Sequence, residues 1–325
     1  MTRPNCPNGP GQAVSDVFKN TKFRIFIALV CTLLLALNGL TAWQASNLVH
    51  HPAEKRRMLR STDANAGYTD VVVETSDGLT LHGWYIPSRN SALILMQHGY
   101  KSDRAEFHQE AAMLARAGYG VLVTSVRAHD VNPGDTITFG IDEMQDIDAW
   151  FNFGRTLPGV DPDRIGMIGN SLGGSMAIQY TAANTGIRAL VAHCAFSSMH
   201  DTIETSIRSL TGLPPFPFAP MIQFWAEMQL GISIDEINAS AWIGQISPRP
   251  VLILNALDDT VISPASGQLL YAAAGEPKQL WEEHGVRHAG FDTAFPEAFE
   301  RRVVGFFDAV LFPDASTGAE QPDTL

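Results

Sequence analysis

Polarity along the chain alternates in two different ways. Near the N-terminus, residues 25–43 read IFIALVCTLLLALNGLTAW without a charged side chain. A helix needs about 20 mostly apolar residues to cross a bilayer, so this run predicts a transmembrane helix. It is apolar on all sides, which separates it from an amphipathic surface helix. A cleaved signal peptide is the rival. The run is longer than a usual signal core and begins late, and Leu40-Thr41-Ala42 is a mediocre cleavage triplet. An uncleaved anchor is the expectation, with residues 1–24 as a tail and 44–69 as a polar connector.

From residue 70 the chain alternates short apolar runs with amphipathic ones. Residues 71–75 and 79–86 read as a hairpin around the turn Asp77-Gly78. Residues 92–96, 120–126, 164–169, 187–193, 251–254 and 278–283 are short apolar runs, the pattern of buried parallel strands. Between them lie helical patterns at 103–117, 141–153, 171–183 and 265–274, with a closing helix at 297–311. This alternation predicts an α/β domain over 70–312, a mostly parallel eight-stranded sheet with helices on both faces. Residues 200–246, rich in Pro, Phe, Trp and Met, break the alternation once. That stretch is too long for a simple loop and predicts a cap insertion. Residues 313–325 read as a disordered tail.

Charge narrows the partners. The formal net charge is −12, yet the first 62 residues carry eight Lys/Arg against Asp16 and Glu54. The body is therefore strongly acidic, which argues against nucleic acid as a partner. The basic N-terminal part suits anionic lipid headgroups. Lys19, Lys22 and Arg24 abut the apolar run, which places the N-terminus in the cytoplasm and the body on the other side. Lys55, Arg56, Arg57 and Arg60 follow the run at a greater distance and oppose that orientation. Cys6, Cys31 and Cys194 offer no disulfide within the body and no metal-ligand spacing. Neither a metal nor an organic cofactor is implied, and the oligomeric state is not legible.

The chemistry centres on Gly169-Asn170-Ser171-Leu172-Gly173-Gly174. G-x-S-x-G is a weak signal alone, but here it follows an apolar strand and opens a helix. Such a turn exposes a strained serine, and its glycines leave room for the bend. The rival role for Ser171 is an ordinary helix N-cap. A serine nucleophile needs a base and the base an acid, in the chain order Ser, Asp, His. Asp258 and Asp259 follow the 251–254 strand, and spacing does not choose between them. His284 sits at a strand end and His288 in the loop beyond, so His288 is the expected base. The oxyanion hole needs two backbone N–H groups. These are expected from Leu172, directly after the serine, and from Tyr100 in the loop His98-Gly99-Tyr100. His98 itself reads as structural.

These residues resemble the α/β-hydrolases, and within them the membrane-anchored BEM46-like and serine aminopeptidase-like group, over about residues 45–312. The resemblance rests on Asp77-Gly78-Leu79-Thr80-Leu81-His82-Gly83-Trp84, His98-Gly99-Tyr100, the Ser171 turn, Ala195-Phe196-Ser197-Ser198 and His288-Ala289-Gly290-Phe291. Asp259-Thr260-Val261-Ile262-Ser263 resembles the group's acid loop, which implies Asp259 rather than Asp258. The chain departs from the group at Arg127-Ala128-His129-Asp130, where a small glycine-rich turn is usual, and at Tyr100, often a small residue. The resemblance implies a serine hydrolase of carboxylic esters or thioesters, of the carboxylesterase or lipase kind, acting on a small-molecule or lipid acyl substrate. A peptidase or amidase, or a non-catalytic binding module on the same fold, are the alternatives.

Overall fold

The apolar run becomes one continuous helix, α1 (Thr21–Val49), in the computed structural model, which describes residues 21–56 and 67–313. The expected tails and the Arg57 and Arg60 end of the connector lie outside the described residues, apart from a few positions at their edges. α1 is long and apolar enough to cross a membrane. It also runs further than the apolar pattern predicted. Residues 44–49, expected to begin a connector, stay helical, because Ala45 and Val49 are buried against the body.

The body then builds in chain order. β1 (Thr69–Glu74) and β2 (Thr80–Ile86) form the hairpin, and β3 (Leu93–Gln97) is wholly buried. A short 3-10 turn at Arg104–Phe107 leads into α2 (His108–Arg116), followed by β4 (Gly120–Thr124) and α3 (Glu143–Gly154). β5 (Ile165–Asn170), α4 (Leu172–Ala183) and β6 (Ala189–His193) follow. The insertion comes next and is helical: α5 (Met199–Thr211), α6 (Pro215–Leu230) and α7 (Ala239–Ile243). Pro220 lies inside α6. Pro215 opens α6, and Phe216, inside the run, departs from helical geometry. β7 (Val251–Ala256), α8 (Ala265–Ala273), β8 (Lys278–Glu283), α9 (Phe291–Ala294) and α10 (Pro296–Leu311) complete the chain.

The sheet has eight strands in the order β1-β2-β4-β3-β5-β6-β7-β8. The β1–β2 and β2–β4 pairings are antiparallel and the rest parallel. Two apolar cores flank it. One gathers the ends of α1, α3, α4 and the insertion; the other gathers α2 and α10. The register matters for the site. Gln97 pairs with Gly169, Asn170 with His193, and Ala256 with Glu283. The carboxyl ends of β3, β5, β6, β7 and β8 therefore finish along one edge, and their loops share one crevice.

Candidate active site

β5 enters a sharp turn at its carboxyl end. Ser171 adopts φ 55° and ψ −121°, a conformation costly for a residue with a Cβ. Its N–H donates to the His193 carbonyl at 2.8 Å, which fixes the turn to β6. The flanking glycines are required by contact. A Cβ on Gly169 would stand 2.3 Å from the Gly173 oxygen, and one on Gly173 would stand 2.1 Å from the Gln97 oxygen. The Ser171 side chain makes no capping hydrogen bond to α4, so the N-cap role is not what holds it. Leu172 opens α4, so its N–H has no acceptor within the helix.

The loop after β3 faces this turn. Gly99 N–H donates to Glu106 at 3.0 Å, Lys101 N–H to His129 Nε2 at 3.1 Å, and Ser102 N–H to the Gly99 oxygen at 3.3 Å. Tyr100 N–H is the amide of this run with no acceptor among the described residues. Tyr100, Ser171 and Leu172 border one cavity of about 330 Å³. The β4–α3 loop, where a glycine-rich turn was absent, is held instead by ion pairs. Arg127 bridges Asp146 and Asp77, and buried Arg104 pairs with Asp130. Burial pulls His129 well below its usual range, so its neutral Nε2 accepts the Lys101 N–H. His98 is buried too, within hydrogen-bond reach of Ser125, in keeping with a structural role.

The two acids and two histidines sort themselves into pairs. Asp259 is buried, and one carboxylate oxygen accepts the N–H groups of Val261 and Ile262 at 2.8 and 3.0 Å. The other lies 2.5 Å from His288 Nδ1. That bond assigns the proton to Nδ1 and leaves Nε2 with its lone pair. Asp258 instead pairs with His284 at 3.0 Å, both largely exposed. Spacing did not separate the two aspartates; the two pairs differ in burial.

Ser171 and His288 are not hydrogen-bonded to each other among the described residues, as is common before substrate tightens a site. They are linked through β6. His193 receives the Ser171 N–H, and its neighbour Cys194 places its sulfur within 4.8 Å of the Asp259–His288 pair. Burial pushes the Cys194 thiol up to about 12, so it is no competing nucleophile at neutral pH. His193 is buried and pulled down to about 3, first by burial and then by His288, so it is no competing base.

Sequence reasoning missed Glu110. This buried residue of α2 lies against Asn170, directly before Ser171, and its Oε2 has no hydrogen-bond partner among the described residues. Burial first, then Asp292 and Glu106, raise its carboxyl from 4.5 to about 8. The folded chain then holds a proton that the unfolded chain releases between those values. Its stabilising contribution is full below about 4.5 and is lost as pH rises through about 8. Glu110→Gln, which cannot ionise, is expected to flatten that decline by up to about 1.4 kcal/mol per pH unit. Thermal midpoints of both proteins between about pH 5 and 8.5 check this. Parallel curves would refute it.

The comparisons with known proteins agree with this fold. Residues 92–217 match the α/β-hydrolase fold family. Among relatives, the chain is similar to the uncharacterized protein Rv2307c of Mycobacterium tuberculosis, 28% identical, covering 80% of this chain and 84% of that one. It is similar to the uncharacterized YqkD of Bacillus subtilis, 24% identical, over 74% and 79%. It is more distantly similar to the α/β-hydrolase domain-containing protein WAV2 of Arabidopsis thaliana, 26% identical, over 65% and 68%. Among solved structures, the Pyrococcus furiosus esterase Pf2001 superposes with a TM-score of 0.67 at 25% identity, covering 81% of this chain and 98% of that one.

Proposed function

We propose that this chain, which has the α/β-hydrolase fold, is a serine hydrolase of carboxylic esters or thioesters, held at a membrane by α1. The observation that carries the reading is the coincidence of two features. A strained Ser171 borders an apolar cavity, and a buried Asp259–His288 pair lies across β6 from it. The fold and its esterase neighbour support hydrolase chemistry.

In this mechanism His288 Nε2 removes the Ser171 proton as Oγ attacks the acyl carbonyl carbon. Asp259 holds the Nδ1 tautomer and stabilises the imidazolium that forms. The carbonyl oxygen gains charge and is met by the N–H groups of Leu172 and Tyr100. Donors fixed in advance at such an oxygen are worth about 3–4 kcal/mol each in the transition state. The positive end of α4 adds to them. His288 then protonates the leaving alkoxide or thiolate. Water, deprotonated by His288, attacks the acyl-enzyme, and the acid and Ser171 are released.

α1 supports an anchor rather than a cleaved leader. Thr41 is buried, and the Ala42 carbonyl accepts from Gln229 of α6 at 3.4 Å. Cutting after Ala42 would remove both contacts. The basic residues before the uncharged run favour a cytoplasmic N-terminus, with the body on the opposite side.

The test is a fluorophosphonate probe on the full chain in detergent micelles. Covalent labelling, slowed in proportion to added ester, is the expected result. A folded chain that stays unlabelled would move the non-catalytic alternative ahead. Aminoacyl amides that compete better than esters would instead establish a peptidase.

A further inference from the structure

The wall of the cavity that holds Ser171 is partly made of α1. Gln44, Asn47 and Leu48 line it, opposite Ile203 and Ile207 of α5, with Ile222 of α6 between. The helix is fastened at this height. Tyr100 donates its hydroxyl to the Leu48 carbonyl at 2.6 Å, and Lys101 donates its ammonium to the Asn47 carbonyl. Arg56, just beyond the helix, donates to the carbonyls of His51 and Asn132, both at 2.6 Å. Tyr100 and Lys101 belong to the loop after β3. The same loop thus faces Ser171 on one side and grips α1 on the other.

α6 runs back along α1. Ile222 shares the cavity with Leu48, while Gln229, two turns later, reaches the Ala42 carbonyl. Travelling down α6 therefore means travelling toward the uncharged run of α1. The outward face of α6 carries Pro220, Phe224 and Met228 at four-residue spacing, preceded by exposed Phe216 at the helix's non-helical start. Phe216 is 82%, Phe224 54% and Met228 64% exposed. The sole charged residue of this helix, Glu227, is turned aside to accept the Ile234 N–H at 2.9 Å. An unbroken exposed apolar stripe is unfavourable in water and fits an interface with hydrocarbon. Beside it, Trp43 is exposed at the end of the uncharged run, where a tryptophan suits the headgroup boundary. Leu48 lies about 7.5 Å further along α1 at a rise of 1.5 Å per residue. The cavity therefore begins less than two helical turns above that boundary.

We infer that α6 seats on the same bilayer that α1 crosses, and that the substrate is a membrane-resident acyl ester drawn from the lipid alongside α1 into the cavity. The inference rests on the hydrolase reading above and names its substrate class. The stripe commits α6 to lipid because it is continuous with α1, the one helix among the described residues able to span a membrane. Phe224 and Met228 line no part of the cavity that holds Ser171.

The experiment uses the full chain in phosphatidylcholine vesicles. Wild type is compared with Phe224→Ser/Met228→Ser on a water-soluble short ester and on a long-chain acylglycerol embedded in the vesicles, with fluorophosphonate labelling alongside. Labelling and short-ester turnover are expected to stay within about twofold, while turnover of the embedded ester falls about tenfold or more. Equal turnover of the embedded ester by both proteins overturns the inference, as does a parallel fall on both substrates. Loss of labelling in wild type would instead sink the hydrolase reading, and this inference with it. A second measurement reads the seat without catalysis. A polarity-sensitive dye on Phe224→Cys, with Cys6→Ser and Cys31→Ser, is expected to be quenched by spin-labelled lipid and shielded from iodide. The reverse pattern, or self-quenching between copies, overturns the seat.

Discussion

Ser171→Ala is expected to abolish fluorophosphonate labelling and lower ester turnover by about a millionfold, leaving the fold intact. Removing a triad nucleophile costs about this much, because the remaining groups act only as a unit with it. The stability half of the result is as informative as the kinetic half. An N-cap serine exchanged for alanine loses about 1 kcal/mol. Ser171 makes no such side-chain bond, and the backbone bond from its N–H to His193 survives the exchange. Alanine inherits the same strained φ, so the thermal midpoint should move by no more than a degree or two. A marked drop in the midpoint with turnover retained would return Ser171 to a capping role.

The second large effect separates two neighbours. Asp259→Asn is expected to lower turnover about 10⁴-fold, since an amide facing His288 Nδ1 favours the wrong tautomer. Asp258→Asn should stay within about twofold, because its partner His284 is exposed and solvent screens such a surface pair. Steady-state turnover of one activated ester by both variants is sufficient. Equal losses, or a larger loss at Asp258, would overturn the assignment. The contrast is sharp because the side chains are adjacent in the chain and differ in what surrounds them. The Asp259 carboxylate is 3% exposed and that of Asp258 55%.

Those neighbours mark where sequence reasoning ended. The strands were legible because parallel strands buried on both faces are short unbroken apolar runs, as in β3, β5 and β7. Ser171 was legible because a turn this tight tolerates glycine alone at two fixed offsets. His288 was chosen by its place in a loop beyond the strand end, whereas spacing left Asp258 and Asp259 open and only the resemblance implied Asp259, since a one-residue shift within a loop leaves no periodic signal. The insertion was foreseen but its helices were not, for a related reason. α6 meets the core and α1 and carries an apolar outer stripe, so no polar face marks its period. α2 shows the opposite case, where a helix was foreseen but its buried Glu110 was not. A glutamate in an amphipathic pattern is read as outward-facing, and nothing local shows that Asn170 waits beneath it.

The placement of Leu48 bears on how such an enzyme can be handled in solution. A fragment begun after residue 49 would keep Ser171, Asp259 and His288, and its sheet would lose none of its strands. Yet it would lack Gln44, Asn47 and Leu48, and one flank of the cavity beside Ser171 would open to water. The Tyr100 hydroxyl and Lys101 ammonium would each lose a carbonyl partner beside the proposed oxyanion loop. Such a fragment would report the reactivity of the serine faithfully and the chain-length preference falsely. The helix that looks like a removable tether is a wall of the cavity that Ser171 borders.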